Sequence, residues 1–303
     1  MASNLRSAAL AGLVTFLLLG LATPVSAAAV RNRRDAAVSA NDWDAVLQGN
    51  RGAECADLAV IFARGTFDQG NIGPWVGGPF REALASKTDV KIAVQGVSTG
   101  DYPADLAGYT KEGGSNSCAK SLGSAVQKYV SSCPDSKIAV WGWSQGAQCA
   151  HKALGELGNA AANVIALGVF GDPISVWQDT VDYPDVPKGT TLLSYCEQTT
   201  PDPLCTNPAE DFPQSPTAFI ARLKAIWEEV DSTHMNDAQK EALGDLIIEL
   251  PKQALSQLGQ LATDIAQGHL RRWMLTPQHF WYGIDGKVKI AADDLVRLYK
   301  GQH

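Results

Sequence analysis

No two of the six cysteines stand as Cys-x-x-Cys, and no zinc-finger, P-loop or dinucleotide-binding pattern occurs in the 303 residues. Nucleotide-driven and nicotinamide chemistry therefore lack their usual sequence carriers. Positive charge is scarce as well. Twenty-five Lys and Arg face 32 Asp and Glu, a formal net charge of −7. A polyanion such as nucleic acid is not an expected partner. Past the N-terminus no run is apolar enough to span a bilayer, so stable membrane insertion is not expected either.

The N-terminal stretch, Met1 to Ala29, carries Arg6, an apolar run from about Ala8 to Ala22, and then Thr23-Pro24-Val25-Ser26-Ala27. A positive end, a short hydrophobic core and a small-residue cleavage site spell a secretory signal peptide over residues 1–27. The run falls short of the ~20 residues a spanning helix needs. Secretion to the extracellular space means an oxidising environment, where an even number of cysteines favours disulfides over metal ligands. Residues 28–54 are polar and charged and are expected to form a loose leader or propeptide. Arg33-Arg34 within it reads equally as a dibasic processing site or as a solvated charge pair. The folded domain is expected to run over residues 55–303. Its composition, 45% hydrophobic and 19% charged, is ordinary for a globular chain.

Apolar runs at Leu58–Phe62, Val90–Val97, Ile138–Val140, Asn163–Phe170 and Thr190–Tyr195 read as buried strands. Helical patterns separate them, at Pro79–Ser86 and at Ser117–Ser131 with Leu122, Val126 and Val130 on one face. Alternation of this kind predicts an α/β fold, a central and mostly parallel sheet flanked by helices. Between about Asn207 and Thr276 the strand signals vanish. Ser215-Pro216 starts a helix with Phe219, Ile220, Leu223, Ile226, Trp227 and Val230 on its face. Asp237 is expected to cap a second, interrupted at Pro251. Leu255, Leu258, Leu261 and Ile265 mark a third, stopped by Gly268. Residues 207–276 are thus an all-helical insertion. A last helix is expected over Ala291–Tyr299.

One stretch gathers the chemistry. Ile138–Val140 leads into Gly142-Trp143-Ser144-Gln145-Gly146, and a helix-forming run follows. Strand, tight turn and helix form the context in which a Gly-x-Ser-x-Gly serine is a nucleophile. The helix start behind it offers free backbone N–H groups. A second pentapeptide, Gly96-Val97-Ser98-Thr99-Gly100, runs into Asp101-Tyr102-Pro103, where Pro103 disfavours a helix. Ser98 therefore reads as a turn residue.

A serine hydroxyl needs a base, and the base needs an orienting carboxylate. His151 sits two turns into the helix behind Ser144. His234 and His269 lie in the helical block and read as surface residues, and His303 is the last residue. His279, in Thr276-Pro277-Gln278-His279-Phe280-Trp281-Tyr282-Gly283, lies where the α/β pattern resumes and is the expected base. Asp172 and Asp202 both follow strands. Asp172, before Pro173, reads as a turn residue. Asp202 lies between Cys196 and Cys205; if those two were bonded, the small ring would hold its carboxylate rigidly, at ~3 kcal/mol in the chain-entropy picture. Asp202 is the expected acid.

Cys55-Ala56-Asp57, Phe62-Ala63-Arg64-Gly65-Thr66, Gly142-Trp143-Ser144-Gln145-Gly146, Asp202-Pro203-Leu204-Cys205 and His279-Phe280-Trp281-Tyr282, in this order, resemble the cutinase family of secreted esterases, which also contains acetylxylan esterases. The resemblance implies a cutinase-like α/β-hydrolase fold and a triad of Ser144, Asp202 and His279. It also implies an oxyanion hole from the Gln145 N–H with the N–H and hydroxyl of Thr66. Family members often carry Ser at the position of Thr66; threonine keeps the hydroxyl on a stiffer side chain. Disulfides Cys55–Cys133 and Cys196–Cys205 are implied too. Cys118 and Cys149 are left over, either paired or with Cys149 as a small buried hydrophobe. The departure is the insertion, where compact family members have a short loop. It reads as a lid beside the site, or else as an appendage packed on the body.

The activity so implied is hydrolysis of carboxylic esters through an acyl-enzyme by a monomer, with cutin or a similar aliphatic polyester as substrate. No metal or organic cofactor is called for. An acetylxylan esterase and a lid-bearing lipase are the neighbouring readings. A catalytically inactive secreted binding protein or elicitor is the reading from another class. Activity is expected to fall below about pH 6 as an imidazole base becomes protonated.

Overall fold

The computed structural model of the protein describes residues 38–198, 201–206 and 212–301. Five strands pair in parallel in the order β2-β1-β3-β4-β5: β1 Leu58–Ala63, β2 Ile92–Gly96, β3 Lys137–Trp143, β4 Val164–Phe170 and β5 Thr191–Tyr195. Apart from Lys137, every residue of β1, β3 and β4 is buried, as helices on both faces require, and this is why they read as unbroken apolar runs. Successive side chains alternate between faces. Leu58, Val60 and Phe62 join one core, with Phe80, Trp141, Trp143 and Phe170; Ala59, Ile61 and Ala63 join the other.

The chain moves from β1 out to β2, then returns to place β3 on the opposite side of β1. Its direction across the sheet reverses there, and in such sheets ligands bind beyond the carboxyl ends of the two strands at the reversal. The segment after β1 carries Thr66 and the one after β3 carries Ser144.

Nine α-helices complete the described residues: α1 Asp44–Leu47, α2 Gly78–Ala85, α3 Leu106–Glu112, α4 Asn116–Ser132, α5 Gln145–Ala153, α6 Pro216–Glu228, α7 Asp237–Ser256, α8 Leu258–Ala266 and α9 Lys287–Lys300. The buried faces of α4 and α5 fill the second core and are bonded to each other through Cys118–Cys149. Cys55–Cys133 and Cys196–Cys205 are the other two disulfides. On the opposite side of the sheet, Phe219, Ile220, Leu223, Trp227, Leu246, Leu250 and Leu261 of the insertion extend the first core. No described helix is long and apolar enough to cross a membrane.

The structure corrects the sequence reading at four places. The folded body starts before Cys55. Trp43 is fully buried with its ring centroid 4.3 Å from that of Tyr129, Ala40 and Val46 are buried, and Asn41 bridges to Gln95 of β2. These contacts come from single apolar residues scattered through a polar segment, which leave no run to read. The break expected at Pro251 falls at Gln257. Leu250 and Ala254 are buried on either side of the proline, and their packing carries α7 through the lost hydrogen bond. Asn236, not Asp237, caps α7, in a reciprocal box with Gln239. Helix α3, capped by Asp105, was not expected at all. The signal peptide (1–27), Arg33-Arg34, residues 28–37 of the leader, residues 207–211 of the insertion and His303 lie outside the described residues.

Candidate active site

Ser144 sits between the end of β3 and the start of α5 with φ 58° and ψ −124°. A non-glycine residue at positive φ costs roughly 1–3 kcal/mol and persists only where its surroundings impose it. Here the surroundings are close. A Cβ on Gly142 would lie 2.1 Å from the Gly146 carbonyl oxygen, and one on Gly146 would lie 2.0 Å from that of Ala63. Strand and helix approach so tightly that only glycine fits at both flanks, which gives the pentapeptide its physical meaning. The Ser144 N–H donates to the Phe170 carbonyl at 3.1 Å, pinning the bend to β4. At the first turn of α5 the leading amides have no intrahelical acceptor.

His279 lies on a 3-10 turn, Pro277–Gly283, and is fully buried. Trp143, the residue before Ser144, donates from Nε1 to the His279 carbonyl at 2.9 Å, tying the imidazole to the serine's strand. His279 Nδ1 donates to Asp202 Oδ2 at 2.7 Å, which fixes the tautomer. Its Nε2 is buried without a hydrogen-bond partner among the described residues. Tyr282, one turn further on, donates its hydroxyl to the same Asp202 oxygen at 2.6 Å, and the Leu204 N–H donates to Oδ1 at 3.0 Å. Burial pushes the Asp202 carboxyl up. The His279 charge and the hydrogen bonds from His279, Tyr282 and Leu204 outweigh it and hold the group below its usual range. Gly171, with φ +51°, admits the pair: a Cβ there would sit 2.8 Å from His279 and 2.9 Å from Asp202 Oδ2.

Thr66 is buried, and its Oγ1 accepts from Gln145 Nε2 at 3.0 Å. The same amide donates to the Asp105 carbonyl at 2.7 Å. With a lone pair so engaged, the Thr66 hydroxyl keeps its proton for another acceptor. Phe67 and Ala104, joined by an N–H···O bond of 2.9 Å, have φ of 68° and 53°. With Ser144 they are the only non-glycine residues at positive φ among those described. Each adjoins a residue of this cluster, so backbone strain concentrates around it.

The other sequence candidates lie elsewhere. Ser98 is exposed in a turn. His151, on α5, and Asp172, just after β4, meet at 2.8 Å in a buried pair, while Asp172 also caps the turn at Ile174. His234 is exposed, and His269, partly exposed, lies 2.8 Å from the half-exposed Asp179. Sequence reasoning gave no role to Tyr282, the Gln145 side chain or Asp105. Tyr282 stands three residues after His279, the one signal that marked it. Among the described residues no group of three or more His, Cys, Asp or Glu is placed to hold a metal ion.

Ser144 is only 2% exposed and His279 0%. Trp227 of α6 packs edge-on against Phe280, with centroids 4.8 Å apart, and donates to the Leu275 carbonyl. Helix α7 and its C-cap Gln257 reach α3 and the segment after Thr66: Gln253 Oε1 accepts from the Leu106 N–H, Gln257 meets the Thr110 hydroxyl, and Asp245 accepts from Gln69.

A cutinase family model matches residues 54–216, which include Thr66, Ser144 and Asp202 but end before His279. Cutinase 4 of Emericella nidulans is 40% identical over 156 residues, 51% of this chain and 62% of that protein. A cutinase of Botryotinia fuckeliana is 40% identical over 121 residues, 39% of this chain and 58% of its own. The chain thus spans about three fifths of the length of these relatives. Among solved structures, a Trichoderma reesei cutinase with a phosphonate inhibitor aligns with 76% of this chain and 90% of its own, at TM-score 0.39 and 23% identity. The catalytic core of a Trichoderma reesei acetyl xylan esterase aligns over 68% and 98%, at TM-score 0.40 and 19% identity.

Proposed function

The chain belongs to the cutinase family, and from that premise we propose that it is a secreted serine esterase whose substrate is cutin or a similar aliphatic polyester. The observation that carries the reading is the buried imidazole of His279. Its Nδ1 is committed to Asp202, its Nε2 has no partner among the described residues, and its carbonyl is held by the residue next to a strained serine.

In this reading Ser144 Oγ attacks the ester carbonyl carbon while His279 Nε2 takes the hydroxyl proton. Asp202 holds the tautomer and stabilises the imidazolium. The oxyanion accepts hydrogen bonds from the Gln145 N–H and from the N–H and hydroxyl of Thr66, each donor of this kind worth ~2.7–4 kcal/mol in the transition state. Collapse breaks the ester C–O bond, and His279 returns its proton to the leaving alkoxide. Water then adds to the acyl-enzyme by the same route, releasing the carboxylic acid and Ser144.

The insertion, residues 207–276, is the lid of this reading. Its support is the burial of Ser144 and His279, with α7 tied to the segments on the oxyanion side. The same burial favours a lipase acting on longer acyl chains as the second reading. Three disulfides suit an extracellular, oxidising setting. The enzyme acts there as a monomer, without metal, organic cofactor or nucleic-acid partner.

A fluorophosphonate probe is expected to label the protein at Ser144, and Ser144→Ala to abolish both labelling and ester hydrolysis. Failure of the wild type to react would return the chain to the binding-protein or elicitor reading. A panel of cutin, graded p-nitrophenyl esters and acetylated xylan separates the esterase classes: cutin and mid-length esters are expected to exceed acetyl esters in turnover.

A further inference from the structure

Two consecutive arginines near the end of the insertion reach different parts of the body. Arg272 is buried, its guanidinium 4.1 Å from the ring centre of Trp177. It donates to the Val176 carbonyl at 2.7 Å, to Asp179 Oδ1 at 2.7 Å and to Thr180 Oγ1 at 3.0 Å. These contacts fasten the insertion to the segment after β4. Arg271 goes to the turn that carries Asp202. Its Nε donates to the Pro203 carbonyl at 3.1 Å and its Nη2 to the Thr206 carbonyl at 2.8 Å.

That turn is closed on itself. The Asp202 carbonyl accepts from the Thr206 N–H at 2.8 Å and from the Thr206 hydroxyl at 2.9 Å, and the Cys196–Cys205 bond closes the ring. Rigid within, the turn still has to be aimed. Asp202 Oδ2 must meet His279 Nδ1, which belongs to a different segment. Arg271 grips the turn at two carbonyls, one on the residue after Asp202 and one just beyond Cys205. A planar guanidinium presents two donors in a fixed fork, whereas a lysine presents a point charge. Burial lowers the Arg271 pKa and the Asp202 charge pushes it back up, so cation and carboxylate sense each other. Arg271 lies outside the stretch matched by the family model.

We propose that Arg271 is a positioning residue: it orients the Asp202 turn toward His279, which makes the insertion a part of the catalytic apparatus as well as its cover. The inference rests on the serine-esterase reading.

The test uses the full chain and a short soluble ester, with Arg271→Met, Arg271→Lys, Asp202→Asn and the double variant Arg271→Met/Asp202→Asn. Arg271→Met is expected to lower kcat by about tenfold to a hundredfold, the scale of a small misplacement of reacting groups, with KM little changed. Arg271→Lys keeps the charge but not the planar fork, so it should recover only part of kcat. In the Asp202→Asn background, Arg271→Met should change kcat by less than about threefold, because its effect passes through Asp202. A wild-type kcat in Arg271→Met, or the same fold-loss with and without the Asp202 carboxylate, would overturn the proposal. If Arg271→Met does not melt cooperatively, Arg271→Lys takes its place in the same cycle. A wild type that neither hydrolyses esters nor takes the fluorophosphonate probe sinks the esterase reading. One that does both, while the Arg271 variants behave as wild type, sinks this inference alone.

Discussion

Two buried aspartates in this region have their pKa values displaced in opposite directions. Asp202 accepts from His279, Tyr282 and the Leu204 N–H, and its pKa is lowered. Asp68, two residues after Thr66, has no well-formed hydrogen bond to either carboxylate oxygen among the described residues. Burial raises its pKa well above the ordinary value, and the Arg64 charge, with weaker help from the Trp75 and Gly65 N–H groups, only partly offsets this. Their contributions to stability run opposite ways with pH. Asp202 contributes stability that is present above the unfolded carboxylate pKa, about 3.9, and lost as pH falls through its folded value. For Asp68 the stability is present below about 3.9 and lost as pH rises through the folded value. Asp68→Asn is therefore expected to raise the Tm at pH 8 and to leave it near wild type at pH 4, read by thermal melts across that range. An unchanged Tm-versus-pH slope would mean that the Asp68 carboxyl has the same pKa folded and unfolded.

Among the elements, the insertion shows what periodicity conveys and what it does not. Phe219, Leu223 and Trp227 repeat at helical spacing and are all buried. Their spacing revealed a helix but not which surface it would cover. Pro251 was misread because local propensity is overridden by the packing of Leu250 and Ala254. Ser144, Asp202 and His279 were legible from a motif, a ring and chain order. The Gln145 amide and Arg271 were not, because their partners Thr66, Asp105, Pro203 and Thr206 lie 40 to 79 residues away in sequence. Replacing residues 214–266 by a short flexible linker removes α6 to α8 and keeps Arg271. That variant is expected to lose kcat/KM on long-chain esters by about tenfold more than on acetate, if apolar helix faces line the acyl path at ~0.8 kcal/mol per methylene. An unchanged chain-length profile would remove the lid and leave the insertion as scaffold.

At the scale of the whole molecule, five apolar runs pointed to a parallel sheet between helices, but neither its strand order nor its outer fastening could be read from them. Residues 38–47 lie along the β2 side, where Ala40, Trp43 and Val46 are buried and the Asn71 side chain holds both polar groups of Ala40's backbone. Trp43→Ala is expected to destabilise the fold by about 3–5 kcal/mol, the usual cost of emptying a buried aromatic site. Urea titration measures it, and a loss under about 1 kcal/mol, the size of an ordinary substitution, would mean that this segment is not integral to the core. The backbone strain shared by Phe67, Ala104 and Ser144 has a consequence for anyone improving this protein. Glycine at Ala104 would relax the chain at once at the loss of a single methyl group, so a screen rewarding heat resistance alone would accept it. If the esterase proposal holds, the same change would loosen the oxyanion cradle proposed there, and durability and turnover would then be selected in opposite directions.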